Sequence, residues 1–285
     1  MSRHTSFRIG GPADVFVVPG SLDELKTLLK WCHQRSVRLL AVGRGTNLLV
    51  RDGGFRGVIV QIGASFQDFE IIGSDGVRAD AGWILSELCV RCASLGLSGL
   101  EFACGIPGSL GGAIYMNAGA YGGQMSDVVT GVVVLNRQGE EEYWGAEKLD
   151  FSYRHSALQD RDYIAIAADL RLRKASPEII FRQIQELTKA RKEKQPLNEP
   201  SAGSIFKRPP GHFAGKLIEQ AGFKGRRVGD AQVSTKHAGF IVNLGHATAS
   251  DVIKLIGEIQ RGVYEKTGVL LEPEIKVIGE EHKEG

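Results

Sequence analysis

The stretch Gly105–Gly123, GIPGSLGGAIYMNAGAYGG, follows an apolar helical run and interrupts it with glycines. Glycine lets a backbone approach a pyrophosphate closely and aim several N–H groups at it. A second segment of this kind, VGRGTNLLV from Val42 to Val50, follows a strand-like run. Neither carries the G-x-G-x-x-G of a dinucleotide fold with its downstream acid, and the chain holds no Gly-Lys-Ser/Thr phosphate loop. Each segment alone reads equally well as a cluster of turns. The two together, after predicted strand or helix ends, point to a nucleotide cofactor.

The totals narrow the class. A chain of 285 residues has room for a substantial core and suggests two domains. With 42% hydrophobic and 24% charged residues it reads as globular, not disordered or fibrous. A net charge of +2 gives no nucleic-acid or membrane signature to the whole chain. The charge is uneven, however: Lys189–Lys236 holds 11 Lys plus Arg against 4 Asp plus Glu, which suggests an anionic ligand met by the C-terminal part. No apolar run approaches the ~18 residues of a membrane span, and no secretion signal opens the chain. Four cysteines are too few for a disulfide scaffold, so a reducing cytoplasm is expected. Cys89 and Cys92 form a CxxC, yet they recur with Ile84, Leu85, Leu88 and Leu95 at helical spacing. Buried thiols on a helix face explain them better than zinc or redox work.

Along the chain, the pattern is α+β without regular βαβ repeats. Strands are predicted at ADVFVVPG, VRLLAVG and GVIVQIG, with hairpins at FEIIGSDGVRADAG and VVVLNRQGEEEYW and a strand at YIAIAADLRLR. Ser21 and Glu24 form an S-x-x-E capping box for the helix that follows. A boundary is predicted near Ser176, where Ser-Pro-Glu opens a helix with Pro177 at its first position. This gives an expected division of 1–175 and 176–285, the second holding helices HFAGKLIEQAG and SDVIKLIGEIQRGVYEKTG and a final strand VLLEPEIKVIG. On that strand, period-two alternation puts Glu272, Glu274 and Lys276 on one face.

Six ordered motifs now stand out: TSFRIGGPADVFVVP, GRGTNLLV, GIPGSLGGAIYMNAGAYGG, YRHS, PSAGSIFKRP and EPEIKVIG. In this order they resemble the UDP-N-acetylenolpyruvoylglucosamine reductases, over nearly the whole chain. The spacing between SIFKRP and EPEIK is similar to the family's compact subtype. The resemblance implies an FAD-binding domain of the vanillyl-alcohol-oxidase (PCMH) type for 1–175, made of two α+β subdomains, and a smaller α/β substrate-binding domain for 176–285. It implies non-covalent FAD, held by Gly43, Arg44, Gly45, Thr46, Asn47 and Leu48 of the first loop. From the second, Gly105, Ile106, Pro107, Gly108, Ser109, Gly111, Gly112, Ala113, Asn117 and Gly119 would take part.

The same resemblance implies a cytoplasmic enzyme of peptidoglycan synthesis, with NADPH as reductant and the enolpyruvyl ether of a UDP-sugar as substrate. Hydride would pass from NADPH to FAD and on to the terminal enolpyruvyl carbon. By match to the family motifs, Ser204 gives the proton to the adjacent carbon, Arg154 holds the carboxylate, and Glu274 is the third catalytic member. A carboxylate beside an anionic intermediate would repel it, so Glu274 is expected to be protonated or paired with Arg154. Tyr153, Lys207, Arg208, Lys216, His237 and Asn243 are expected at the substrate. No metal, nucleic acid, membrane or obligate protein partner is expected.

Two rival readings differ in class. Another flavoenzyme of the same fold, an alcohol or hydroxyacid oxidase, would need a general base at the reacting carbon where this chain offers a serine. A flavin-free anion- or nucleic-acid-binding protein would use the run 189–236. That run holds only Phe206, Phe213 and Phe223 as aromatics, too few for a base-stacking platform.

Overall fold

The computed structural model describes residues 1–281. The chain divides into two compact units that are discontinuous in sequence. The larger comprises residues 15–44 and 58–191, the smaller 1–14, 45–57 and 192–285. The contiguous division expected at Ser176 therefore does not describe the compact units. The N-terminal segment and residues 45–57 fold with the C-terminal part, and the first four turns of the helix after Ser176 stay with the larger unit.

The larger unit is built on a five-stranded antiparallel sheet in the order 141–145, 129–135, 164–171, 76–80, 69–72. Both predicted hairpins appear in it. Strand Leu39–Val42 pairs in parallel with 58–61 in a second sheet. Helix α1 (Leu22–Gln34) buries Leu25, Leu29 and Cys32. Its capping differs from expectation in one half. Ser21 accepts the Glu24 N–H, but the Glu24 carboxylate takes the N–H of Gly20, not of Ser21. Helix α2 (Leu85–Ser94) buries Leu85, Leu88, Cys89, Cys92 and Ala93. Helix α3 (Leu110–Tyr115) starts at Ser109, whose hydroxyl accepts from Gly112 N–H. Helix α4 (Pro177–Lys194) has proline at its first position, where a missing N–H costs nothing.

In the smaller unit, helices α5 (Ala214–Gln220) and α6 (Ala249–Thr267) pack with a four-stranded antiparallel sheet in the order 201–204, 240–243, 231–233, 227–228. Helix α6 opens with a full capping box of Thr248 and Asp251 and closes on Gly268 at φ 69°. The predicted final strand shortens to Lys276–Ile278, paired in parallel with Leu48–Val50. Pro273 makes only an isolated bridge, to Phe206, and the chain bends at Ile275. Strand alternation therefore cannot place Glu272 and Glu274 on one face with Lys276.

The CxxC thiols lie in the larger core. Cys89 and Cys92 are 2% and 0% exposed, and the Cys89 thiol donates to the Leu100 carbonyl. Burial pushes the Cys92 thiol up to about 12 and Cys89 well above the usual range. Neither forms thiolate at neutral pH, so neither is poised as a nucleophile. No described helix is long and apolar enough to cross a membrane. Timed thiol titration of the folded protein should therefore modify the half-buried Cys104 first. Cys32, Cys89 and Cys92 should react only after denaturant is added; rapid native modification at Cys89 or Cys92 would contradict their burial.

Candidate active site

In the larger unit, Gly43 at the start of the first glycine loop meets the second loop. Gly43 lies so close to the Ser109 hydroxyl that a Cβ there would overlap it. Gln61 Nε2 donates to the Gly43 carbonyl at 2.9 Å and holds the first loop from outside. Among the described residues, no protein acceptor takes the backbone N–H of Gly43, Arg44, Gly45 or Thr46. The same holds for Gly105, Gly108 and Ser109. Runs of unpaired N–H groups in glycine-rich turns form anion-binding concavities. The residues present thus fit a nucleotide pyrophosphate.

The second loop is not uniform. Leu110 and Gly111 donate to the carbonyls of Trp83 and Ala81, and Gly112 and Ala113 donate to Ser109. Gly111, Gly112 and Ala113 therefore use their N–H groups within the protein, and Gly111 lies so close to Ala81 that a Cβ there would overlap it. Asn117 is 1% exposed, with its amide committed to the Ser152 carbonyl, Gln124 and the Ser126 N–H. Gly119 gives its carbonyl to Arg154 Nη2 at 2.9 Å. These two residues build the turn that carries Arg154.

That turn is short and strained. Arg154 adopts φ 59°, a region rare for residues with a Cβ. Its guanidinium lies 4.9 Å from the centre of the Tyr153 ring, which is half exposed. Strained backbone of this kind clusters at functional sites.

In the smaller unit, Ser204 ends the strand 201–204 and is exposed, after Gly203 at φ 77°. The register breaks between Ser201 and Ser204, so the strand bulges where the serine sits. The next residue, Ile205, accepts the Glu274 N–H at 2.7 Å, and Asn47 Nδ2 donates to the Glu274 carbonyl at 3.2 Å. Backbone contacts thus bring Asn47, Ser204 and Glu274 together. Glu272 is different. Its side chain is 68% exposed and pairs with Lys207 Nζ at 2.6 Å.

The expected substrate residues separate on the same evidence. Arg208 stacks on the exposed Phe213 ring at 4.0 Å and donates from Nε to the His212 carbonyl. Lys216 is exposed on α5. Asn243 is 4% exposed, its Nδ2 bound to the Phe7 carbonyl and its Oδ1 to the N–H groups of Gly245 and Ala247. Its contacts make it a loop clamp. His237 accepts the Gly239 N–H at Nδ1 and meets Phe240 edge to face. Burial lowers its pKa, which keeps the ring neutral at neutral pH.

One candidate escaped the sequence reading. Arg191, near the end of α4, packs against Gly105 of the second loop. Its Nε is buried without a partner among the described residues, and burial lowers its pKa. A desolvated guanidinium beside unpaired loop N–H groups is suited to an anion. The signal available was only its place in the basic run.

Comparison with known proteins fits this geometry. Residues 13–142 match the family described as FAD binding domain. Both loops lie within this match, as befits an FAD-dependent flavoprotein. Residues 195–278 match the family described as UDP-N-acetylenolpyruvoylglucosamine reductase, C-terminal domain. A protein of that name from Caldanaerobacter subterraneus subsp. tengcongensis is 51% identical over 280 residues, 98% of this chain and 92% of the relative. One from Lachnoclostridium phytofermentans is 49% identical over 283 residues, covering 98% and 91%. The crystal structure of UDP-N-acetylenolpyruvylglucosamine reductase (MurB) from Thermus caldophilus matches with a TM-score of 0.83 at 38% identity, covering 97% of this chain and 96% of that one. The chain belongs to the UDP-N-acetylenolpyruvoylglucosamine reductase family.

The His237 shift has a pH consequence. Its folded pKa is lowered, so as pH falls the unfolded chain takes up the proton first. Stability from this group is flat above about pH 6.5 and is lost as pH drops from there toward the folded pKa. Unfolding free energies measured across that range should fall on acidification, and His237→Gln should remove this component. An unchanged pH slope in the variant would count against the assignment.

Proposed function

We propose that the protein reduces the enolpyruvyl ether of UDP-N-acetylglucosamine to UDP-N-acetylmuramate with NADPH. The supporting observation is the Ser204–Glu274 arrangement, held by main-chain bonds within a chain of this family. FAD, when bound non-covalently, would supply the hydride relay from NADPH to the terminal enolpyruvyl carbon. The chain's own residues have three remaining tasks.

The first is protonation. Hydride addition leaves the carbon that bears the sugar oxygen strongly basic, so even a serine hydroxyl can serve as its acid. Ser204 fills this role, and its exposed place on a bulge lets its proton be resupplied. The second task is charge stabilisation. Arg154 offers the planar donor fork that suits a carboxylate, in a conformation fixed before substrate arrives. The third is managing the acid. Glu274 acts either protonated or paired with Arg154, since a lone ionised carboxylate would oppose the developing negative charge. Lys207, Arg208 and Lys216 form the basic surface for phosphates of the UDP-sugar or NADPH, and Arg191 adds a buried guanidinium beside the second loop. NADPH and UDP-sugars are cytoplasmic metabolites, and four unpaired cysteines suit that compartment.

Anaerobic mixing tests the reaction. NADPH should bleach the flavin, and the enolpyruvyl substrate should restore its colour without oxygen; persistent bleaching would rule the reading out. Ser204→Ala should keep flavin reduction near the original rate while slowing reoxidation by about 10²–10⁴-fold. Glu274→Gln should slow reoxidation and Glu272→Gln should not. The opposite pattern would transfer the role to Glu272.

A further inference from the structure

The Tyr153–Arg154 turn is tied down on both sides by amide side chains, Asn117, which builds the turn, and Gln159, to which no task has been assigned. The turn is closed by two bonds, Ser152 N–H to the His155 carbonyl and His155 N–H to the Ser152 carbonyl, each 3.1 Å. On the leading side, Asn117 Nδ2 donates to the Ser152 carbonyl at 2.9 Å. On the trailing side, Gln159 Nε2 donates to the carbonyl of Arg154 itself at 3.0 Å. The same amide donates to the Tyr115 carbonyl at 2.8 Å, where the Ser156 hydroxyl also donates at 2.9 Å. Tyr115 is the last residue of α3, and Asn117 and Gly119 follow it directly. The end of the second glycine loop is thus the template on which the arginine turn is folded.

Helix capping explains only part of this. A C-terminal carbonyl such as that of Tyr115 needs one donor, and Ser156 already supplies it. The second N–H of Gln159 goes to the peptide unit that follows Arg154. Rotation of that unit, about ψ of Arg154 and φ of His155, would open the turn in which Arg154 is held at φ 59°. With the carbonyl held and the guanidinium bonded to Gly119, both ends of the arginine are fixed.

We propose that Gln159 is a positioning residue that holds Arg154 ready for a substrate carboxylate. The inference rests on the reading of Arg154 given above and adds a residue to it. Gln159 touches neither substrate nor cofactor in this role. It acts through the arginine backbone, and the effect belongs to carboxylate-dependent steps alone.

Two substitutions in the holoenzyme test this. Gln159→Met keeps the length and loses both donors. Gln159→Glu turns the donors into an acceptor facing two carbonyls, and regains one donor when the carboxyl is protonated. The first readout is equilibrium binding to the oxidised holoenzyme of two ligands, UDP-N-acetylmuramate, which has a carboxylate, and UDP-N-acetylglucosamine, which lacks it. Gln159→Met should lose about 10-fold of the preference for the carboxylate-bearing ligand, as a misplaced fork would, and keep the affinity for the other. The second readout is anaerobic half-reaction kinetics. Reoxidation by the enolpyruvyl substrate should slow while reduction by NADPH stays within about 2-fold. In Gln159→Glu reoxidation should recover as pH is lowered through titration of the new carboxyl. Equal loss in both half-reactions, or lower stability with an unchanged ligand preference, would make Gln159 a structural cap and overturn the proposal. If Arg154→Ala slows reoxidation and Gln159→Met does not, only the positioning role fails. A wild-type enzyme that stays bleached overturns the reading of the reaction, and this inference with it.

Discussion

Two contacts anchor the acid end of the site: the Glu274 N–H on the Ile205 carbonyl, main chain to main chain, and the Asn47 side-chain amide on the Glu274 carbonyl. They join segments more than 200 residues apart in sequence to the residue after Ser204. Lys276 N–H returns to the Asn47 carbonyl and starts the parallel pairing of 276–278 with 48–50. The Glu274–Ile205 and Lys276–Asn47 bonds run between backbones and are indifferent to side-chain identity, whereas the remaining one requires the Asn47 amide. The positions of Ser204 and Glu274 are therefore set by register, and their side chains are not required to hold the segments together. Glu272 shows the contrast, since its exposed ion pair with Lys207 is of a class worth roughly 0–1 kcal/mol.

That register explains what could and could not be read along the chain. Helices announce themselves locally: Ser21 before α1, Pro177 at the start of α4, and Thr248 with Asp251 before α6 each carry a capping signal within one turn. The hairpins of the five-stranded sheet are equally local. The discontinuous units are not. Residues 45–57 join the C-terminal unit because Leu48–Val50 pairs with Lys276–Ile278, a partnership with no local signature. The final strand was overextended for a related reason. Leu271–Ile278 alternates in a strand-like way, but Pro273 cannot donate to a ladder and the chain bends at Ile275.

The site was legible at the level of loops, less so at the level of atoms. Glycine content marked both segments, yet only the hydrogen-bond accounting separates Gly105 and Gly108, with unpaired N–H groups, from Gly111, which donates to Ala81. Asn117 and Asn243 are expected at cofactor and substrate through the family resemblance alone. In the fold both are enclosed, with their amides bound to neighbouring backbone. Arg191 is marked only by its place in the basic run, and Gln159 by nothing. What distinguishes them is the absence or presence of a particular partner, which is a property of three-dimensional neighbours.

The basic run illustrates how a charge count becomes a chemical statement only after folding. Several of its cations face carboxylates: Lys207 with Glu272, Lys224 with Glu219, Arg226 with Glu258 and Arg227 with Asp230. Lys236 reaches the Lys192 carbonyl. Exposed charges so paired contribute little field of their own at physiological ionic strength. Arg191 differs in kind, because water is excluded from its Nε and no protein acceptor replaces it. Leaving a guanidinium so is costly unless an anion restores the balance. Beside it run loop dipoles with the same requirement. Within the run, Arg191 is thus set apart by a buried Nε beside loop N–H groups that have no protein acceptor among the described residues.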